Sequence, residues 1–339
     1  MPSKQLPDGW EPPVPAWQTE YPDSVREIVF AYFGAQRPEG TAPGEFALQL
    51  RASMRGQHEP FFVTRATYVD ATNFRNDVFI AYWPSLAAYD AWWRTSEFST
   101  WWSDDSRLSE GEGLWREIYS VRPQRFETLF SSRNPTGAAA LGCPFGEPVR
   151  EHNYWGGMRD RIADTTLAND SFEPSGEYTL ASLSVEESRR QRIRVDLPDN
   201  ICLIRSGQDF SQCGAQERST YEDVVRPHLT AGMAFLRDNP AESGCLSCRL
   251  MDEVDLDGQF SAKSFGLAAF ASLGHLEIWA KSHPSHLAIF ESFFRMVELR
   301  EGKLDLRLWH EVLILDAAGS LCEYVNCHPN TGFLRWFRA

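Results

Sequence analysis

No run of about 18 apolar residues occurs in this 339-residue chain, so a membrane-spanning helix has no candidate. The opening residues, Met1-Pro2-Ser3-Lys4-Gln5-Leu6-Pro7-Asp8, lack the apolar core of a secretory signal. Basic charge is in deficit: 33 Lys and Arg face 47 Asp and Glu, for a net charge of −14. With no basic stripe interleaved with aromatics, nucleic acid is not expected as a partner. Cysteine is sparse and odd in number, seven in all, which suits free thiols in a reducing compartment and a cytoplasmic protein. The one C-x-x-C, Cys245 to Cys248, has no second pair to complete a zinc site, and regular strand alternation would point its thiols to opposite faces. Neither G-x-G-x-x-G nor G-x-x-x-x-G-K-[ST] occurs, so no nucleotide cofactor is expected. Without G-x-S-x-G or H-E-x-x-H, serine and zinc hydrolases also recede.

What the chain does have is an internal echo. Leu114-Trp115-Arg116-Glu117-Ile118 returns as Leu308-Trp309-His310-Glu311-Val312, and Arg133-Asn134-Pro135-Thr136-Gly137 returns as His328-Pro329-Asn330-Thr331-Gly332. Each time the later copy carries histidine where the earlier carries arginine. Imidazole can bind a metal or move a proton near neutral pH, whereas guanidinium stays charged and only donates. The repeat describes a scaffold, and the difference between its copies points to chemistry.

The echo extends to the pattern of elements. Apolar runs ending near glycine, Ile28 to Gln36 and Ile201 to Gln208, read as strands, the second ending in a turn at Ser206-Gly207. In the second half Tyr221, Val224, Val225, His228, Leu229, Gly232, Phe235 and Leu236 fall on one helical face, stopped by Asp238-Asn239-Pro240. Strands follow at Phe61–Thr64 and Val78–Trp83, and at Cys245–Met251 and Phe265–Phe270. Helices then begin after Ser85 and Ser272, and the repeated pentapeptides supply a last strand. Each half reads β-α-β-β-α-β, so the fold class expected is α+β, with duplicated ferredoxin-like halves at 1–140 and 195–339 joined by a segment at 141–194. The basic stretch Arg189-Arg190-Gln191-Arg192-Ile193-Arg194 reads as a solvated hairpin or edge strand.

Among candidate groups, alternation puts His310 on the strand face opposite Trp309 and Glu311, and His328 stands in a turn-rich run that could equally employ it as a turn cap. His283 and His286, three apart at a helix start, read as solvent-facing or capping.

Six motifs in order resemble the haem-containing aldoxime dehydratases: Phe126-Glu127-Thr128-Leu129, Glu151-His152-Asn153-Tyr154-Trp155-Gly156, Ile204-Arg205-Ser206-Gly207-Gln208-Asp209, Ser282-His283-Pro284-Ser285-His286, Leu308-Trp309-His310-Glu311-Val312 and Tyr324-Val325-Asn326-Cys327-His328-Pro329. The likeness runs from about Pro12 to Leu334. It implies a dimeric α/β-barrel-type duplicated fold, is compatible with a homodimer, and implies haem b, ferrous in the active form. It further implies dehydration of R-CH=N-OH to a nitrile, which makes the protein a lyase acting on small-molecule aldoximes. By resemblance, His310 is the proximal haem ligand, His328 the distal acid/base, Ser206 a contact to the substrate hydroxyl, and Arg161 and Glu127 the pair that positions His328. The segment 141–194 would then contribute to the distal pocket. A haem peroxidase of the same fold and a non-catalytic haem carrier or sensor are the alternatives.

Overall fold

The computed structural model describes residues 5–109, 111–142, 145–166, 172–174, 178 and 184–336. In the first half, β1 (Ile28–Pro38) leads through α1 (Phe46–Ser53) to β2 (Phe62–Val69) and β3 (Phe74–Trp83). Then come α2 (Leu86–Thr95), α3 (Glu97–Ser103), β4 (Gly113–Val121) and β5 (Phe126–Phe130). The connecting stretch holds α4 (Gly157–Arg161) and α5 (Val185–Ser188), and β6 (Arg192–Val195) closes it. The second half runs β7 (Cys202–Asp209), α6 (Ala215–Thr220), α7 (Arg226–Asp238), α8 (Pro240–Ser243), β8 (Cys245–Val254) and β9 (Phe260–Phe270). It ends with α9 (Leu273–Ser282), α10 (Pro284–Leu299), β10 (Arg307–Ile314) and β11 (Ser320–Val325).

The β-α-β-β-α-β order read from the sequence therefore occurs twice, with two consecutive helices before β4 and again before β10. Ser85 caps α2 by accepting from Ala88 N, and Ser272 caps α9 by accepting from His275 N. The strands form one antiparallel sheet, ordered β5-β10-β7-β9-β8-β2-β3-β1-β4-β11-β6. The last strands cross over: β5, from the first half, pairs with β10, and β11, from the second, pairs with β4. The sheet curls so that residues far apart in strand order meet inside it. Tyr82 of β3 donates to Glu311 of β10, and Arg249 of β8 pairs with Glu117 of β4. Leu203, Leu267, Leu313, Ile80, Trp115 and Tyr324 share that inner core.

Each half carries helices on the outer face of its strands. Over β1, β3 and β4 that layer is filled by Trp83, Tyr89, Trp92, Phe98 and Trp102. Over β7, β9 and β10 it is filled by Cys202, Ala268, Phe270, Val312 and Ile314 against Leu236, Leu276, Trp279 and Ala280. No helix among the described residues is long and apolar enough to cross a membrane.

Several expectations need correction. Residues 221–225 form a π-helical turn between α6 and α7, which shifts the helical period and leaves His228 exposed. Ser206 is not in a turn: β7 continues to Asp209, and Gly207 is there because a side chain would collide with the Trp309 indole. Cys245 and Cys248 do not face opposite ways, since a register shift between Cys245 and Ser247 brings both into the outer core. The basic stretch does supply an edge strand, β6, pairing with β11 and sending Arg192 and Arg194 toward Glu323.

Candidate active site

His310 has the strand parity of Val312 and Ile314, so it faces the helix layer of the second half while Trp309 and Glu311 point into the curled sheet. Registered beside it are Ser206 on β7 and, next, Gly266 on β9. A side chain at Gly266 would press on the Met233 sulfur of α7, so the floor of the layer is kept low.

Two more groups converge on His310. Glu127, on the crossed-over β5, accepts from Arg161 Nε at 2.9 Å and Nη2 at 3.0 Å, and its Oε1 lies 2.9 Å from His310 Nε2. Arg161, at the end of α4, also reaches His310 Nε2 from Nη2 at 3.2 Å and donates to the Glu151 carbonyl. Burial alone would raise the Glu127 carboxyl, but Arg161 and His310 outweigh it and hold it down to about 2. The carboxylate therefore stays ionised, and His310 Nε2 has two mutually exclusive partners. With its proton it donates to Glu127; without it, it accepts from Arg161. Either form of that nitrogen thus has a hydrogen-bond partner in place.

The other half shows the same device disarmed. Arg116 pairs with Glu323 of the crossed-over β11 at 2.8 Å and lies over the Trp93 ring at 3.8 Å, with Trp102 donating to the same carboxylate at 2.7 Å. Indoles close the space, and arginine cannot titrate.

His328 lies elsewhere. It follows β11, on the opposite half of the sheet, and no contact among the described residues joins it to His310, Glu127 or Arg161. Its Nδ1 accepts from Asn330 N at 3.0 Å and its Nε2 touches Thr72 Oγ1, so the ring caps its own turn. The reason lies in the second echo, whose Thr-Gly pairs cover the buried glutamates of the curled sheet. Gly137 leaves room for Glu311 and Gly332 for Glu117. The run that carries His328 is thus tied to first-half strands, and Glu127 and Arg161 serve His310 instead.

The residues also bear on where a large flat cofactor could lie. Among the described residues no three His, Cys, Asp or Glu groups are placed to chelate an ion; an imidazole of the second-half helix layer is a group that could ligate the metal of such a cofactor. α10 is apolar yet buries only Ser292 and Met296 of its 16 residues, and its own Ile289, like Met233 of α7 and Ile204 of β7, is only partly covered. Among the described residues this layer buries Trp279 where the first-half layer buries Trp83, Trp92 and Trp102. His286 shares a helical face with Ile289 and Phe293, its ring sits 4.7 Å from that of Trp279, and its buried Nδ1 makes no close hydrogen bond among the described residues. Burial lowers its pKa, favouring the neutral, ligand-competent imidazole. Reading this pair as solvent-facing or capping holds for His283, which caps α10 by accepting from Ser285 N, and not for His286. The i, i+3, i+7 face through His286, Ile289 and Phe293 was the available signal.

Comparison with known proteins places the chain in a family. Residues 31–333 match the family described as haem-containing dehydratase. The aliphatic aldoxime dehydratase of Pseudomonas chlororaphis is 39% identical over 339 residues, covering 98% of this chain and 94% of that protein. The phenylacetaldoxime dehydratase of Bacillus sp. (strain OxB-1) is 36% identical over 336 residues, covering 98% and 95%. A crystal structure of an aldoxime dehydratase in complex with butyraldoxime superposes with a TM-score of 0.91 at 36% identity, covering 99% of this chain and 93% of that one. With a family match over residues 31–333 and relatives of this identity along nearly the whole chain, the protein is a member of the haem-containing dehydratase family.

Proposed function

We propose that this protein dehydrates aldoximes, R-CH=N-OH, to nitriles, with His310 as the acid/base and His286 as the residue that holds the haem. The observation that carries the assignment is the convergence of Glu127 and Arg161 on His310 Nε2. Haem b, when bound and ferrous, supplies an electron-rich iron that can take the oxime nitrogen. Hydroxide is a poor leaving group near neutral pH, so a proton has to reach the departing oxygen. Protonated His310 delivers it, and Ser206, registered beside it, orients that oxygen by hydrogen bond. His310, now neutral and backed by Arg161, then accepts the C–H proton, and the next cycle begins. Glu127 stays ionised throughout and steadies the imidazolium.

These roles exchange those implied by the resemblance, which gave iron to His310 and the proton to His328. One observation favours keeping His310 as the ligand: a carboxylate on one ring nitrogen is a familiar support for a metal-binding imidazole. The nitrogen left free would be Nδ1, next to the backbone, where a planar macrocycle is crowded.

Further readings are part of the proposal. The repeated element order supports duplicated ferredoxin-like halves at 1–140 and 195–339, in a dimeric α/β-barrel-type fold. Of the connecting segment 141–194, residues 143–144, 167–171, 175–177 and 179–183 lie outside the described residues; its α4 brings Arg161. Exposed Ile278 and Leu299 on the outer helices favour a homodimer, and the six free buried cysteines among the described residues a reducing, cytoplasmic location.

The test is a set of three variants, each purified with haem, reduced with dithionite and given butyraldoxime or phenylacetaldoxime. His310→Ala is expected to keep its Soret band and lose about 10²–10⁴ of turnover. His286→Ala should fail to retain haem, and His328→Ala should keep both haem and turnover. Loss of haem from His310→Ala with retention in His286→Ala would restore the roles the resemblance implies.

A further inference from the structure

Glu127, Arg161 and His310 reach the site from β5, α4 and β10, and the first two have slender support. β5 ends the sheet, and α4 is little more than one helical turn. The chain N-terminal to β1 holds both. Trp17 exchanges two backbone hydrogen bonds with Phe130 of β5, at 2.9 and 2.8 Å, and Thr19 N donates to Thr128 Oγ1 at 3.1 Å, one residue from Glu127. On its other side, Gln18 Nε2 donates to the Arg161 carbonyl at 3.3 Å and Gln5 N to Asp160 Oδ1 at 3.0 Å. Trp10 Nε1 donates to the His152 carbonyl at 3.0 Å, and Val149 N to the Ala16 carbonyl at 2.9 Å. Residues 5–19 therefore run between β5 and the stretch before α4, bridging to β5 at Trp17 and to Phe145 at Thr19. Ala16 and Thr19, 6% and 4% exposed, are buried there rather than frayed. This arm precedes the residues 31–333 that match the family.

We propose that the N-terminal arm is the positioning element that sets the Arg161–Glu127 pair against His310. The inference rests on the reading of His310 as the acid/base. His310 Nε2 chooses between two partners 2.9 and 3.2 Å away, so a slip of Arg161 relative to β5 changes which bond is made. Misplacing a catalytic group by about 1 Å can cost about 10²-fold in rate.

A double-mutant cycle separates positioning from mere support of the fold. Deleting residues 1–12 together with Gln18→Ala is expected to lower kcat about 10- to 100-fold, with KM within about twofold and haem content unchanged. In a Glu127→Gln background the same change should cost less than about twofold, because the pair it positions is already broken. An equal loss in both backgrounds, or no loss in the parent, overturns the proposal. Should the shortened chain not fold, Gln18→Ala and Thr128→Val run the same cycle on the full-length protein. If the parent turns over no aldoxime, the functional reading itself falls. The cycle is then read from the C–O stretch of the reduced protein's carbon monoxide adduct, which responds to charge beside His310. A shift in the parent background and none with Glu127→Gln supports the arm's role, and equal behaviour in both removes it.

Discussion

Glu127 shows how one residue can be buried and still charged. Its folded value of about 2 lies below the ordinary 4.5, so its ionisation stabilises the fold above about pH 4.5, and that contribution fades as pH falls toward 2. A shift of this size is worth up to about 3 kcal/mol. Glu127→Gln should therefore be less stable than the parent at pH 7, with the gap in denaturation midpoint narrowing as pH falls from about 4.5 toward 2; a gap independent of pH would mean that the carboxylate is not what is lost. The same variant should keep haem and lose turnover. At this scale the sequence was partly legible. It pointed to His310, Glu127, Arg161 and Ser206, but the partner each serves depends on which strands lie side by side. His328 looked equivalent to His310 because both replace arginine, yet its ring is taken up by Asn330 and Thr72. His286 was hidden by a helix-start context that suits only its neighbour His283.

Among the elements, β7 and β1 share a device that fixes their place in the sheet. A side chain at Gly207 would collide with the indole of Trp309, and one at Gly34 with that of Trp115. Gly207→Ala and Gly34→Ala should each cost about 1–3 kcal/mol through overpacking, measured by denaturant unfolding. They should differ in function: Gly207 adjoins Ser206, so its variant should also lose turnover per bound haem, while Gly34→Ala should not. Equal catalytic loss in both would place the effect in global stability. Strands such as β1, β3 and β10 were readable because apolar runs and alternation mark them directly. The π-helical turn at 221–225 and the register shift at Cys245 were not, because each adds a residue without changing composition.

For the molecule as a whole, the decisive contrast is between two helix layers built to one plan. Among the described residues the first buries Trp83, Trp92 and Trp102 and the second Trp279, which fits the proposal that one half serves as scaffold and the other receives the cofactor. Trp92→Ala, in the first layer, should cost about 3–5 kcal/mol of stability and leave haem retention and KM unchanged, since the cavity opens in the wrong half. Haem loss in proportion to the destabilisation would show that the halves are not so separate. The order of elements in each half was legible because it follows from local pattern, whereas the crossing-over of β5 and β11 was not, being a matter of which sheet edge each terminal strand finds. That crossing-over governs how the protein can be made. As the chain leaves the ribosome, Glu127 is synthesised about 180 residues before the histidine it serves, and β4 waits with an open edge until β11 emerges near the end. Neither the Glu127–Arg161–His310 cluster nor a sealed first half can form before β10 and β11 have been made, and a chain broken off ahead of them is left with an unpaired strand edge and no site.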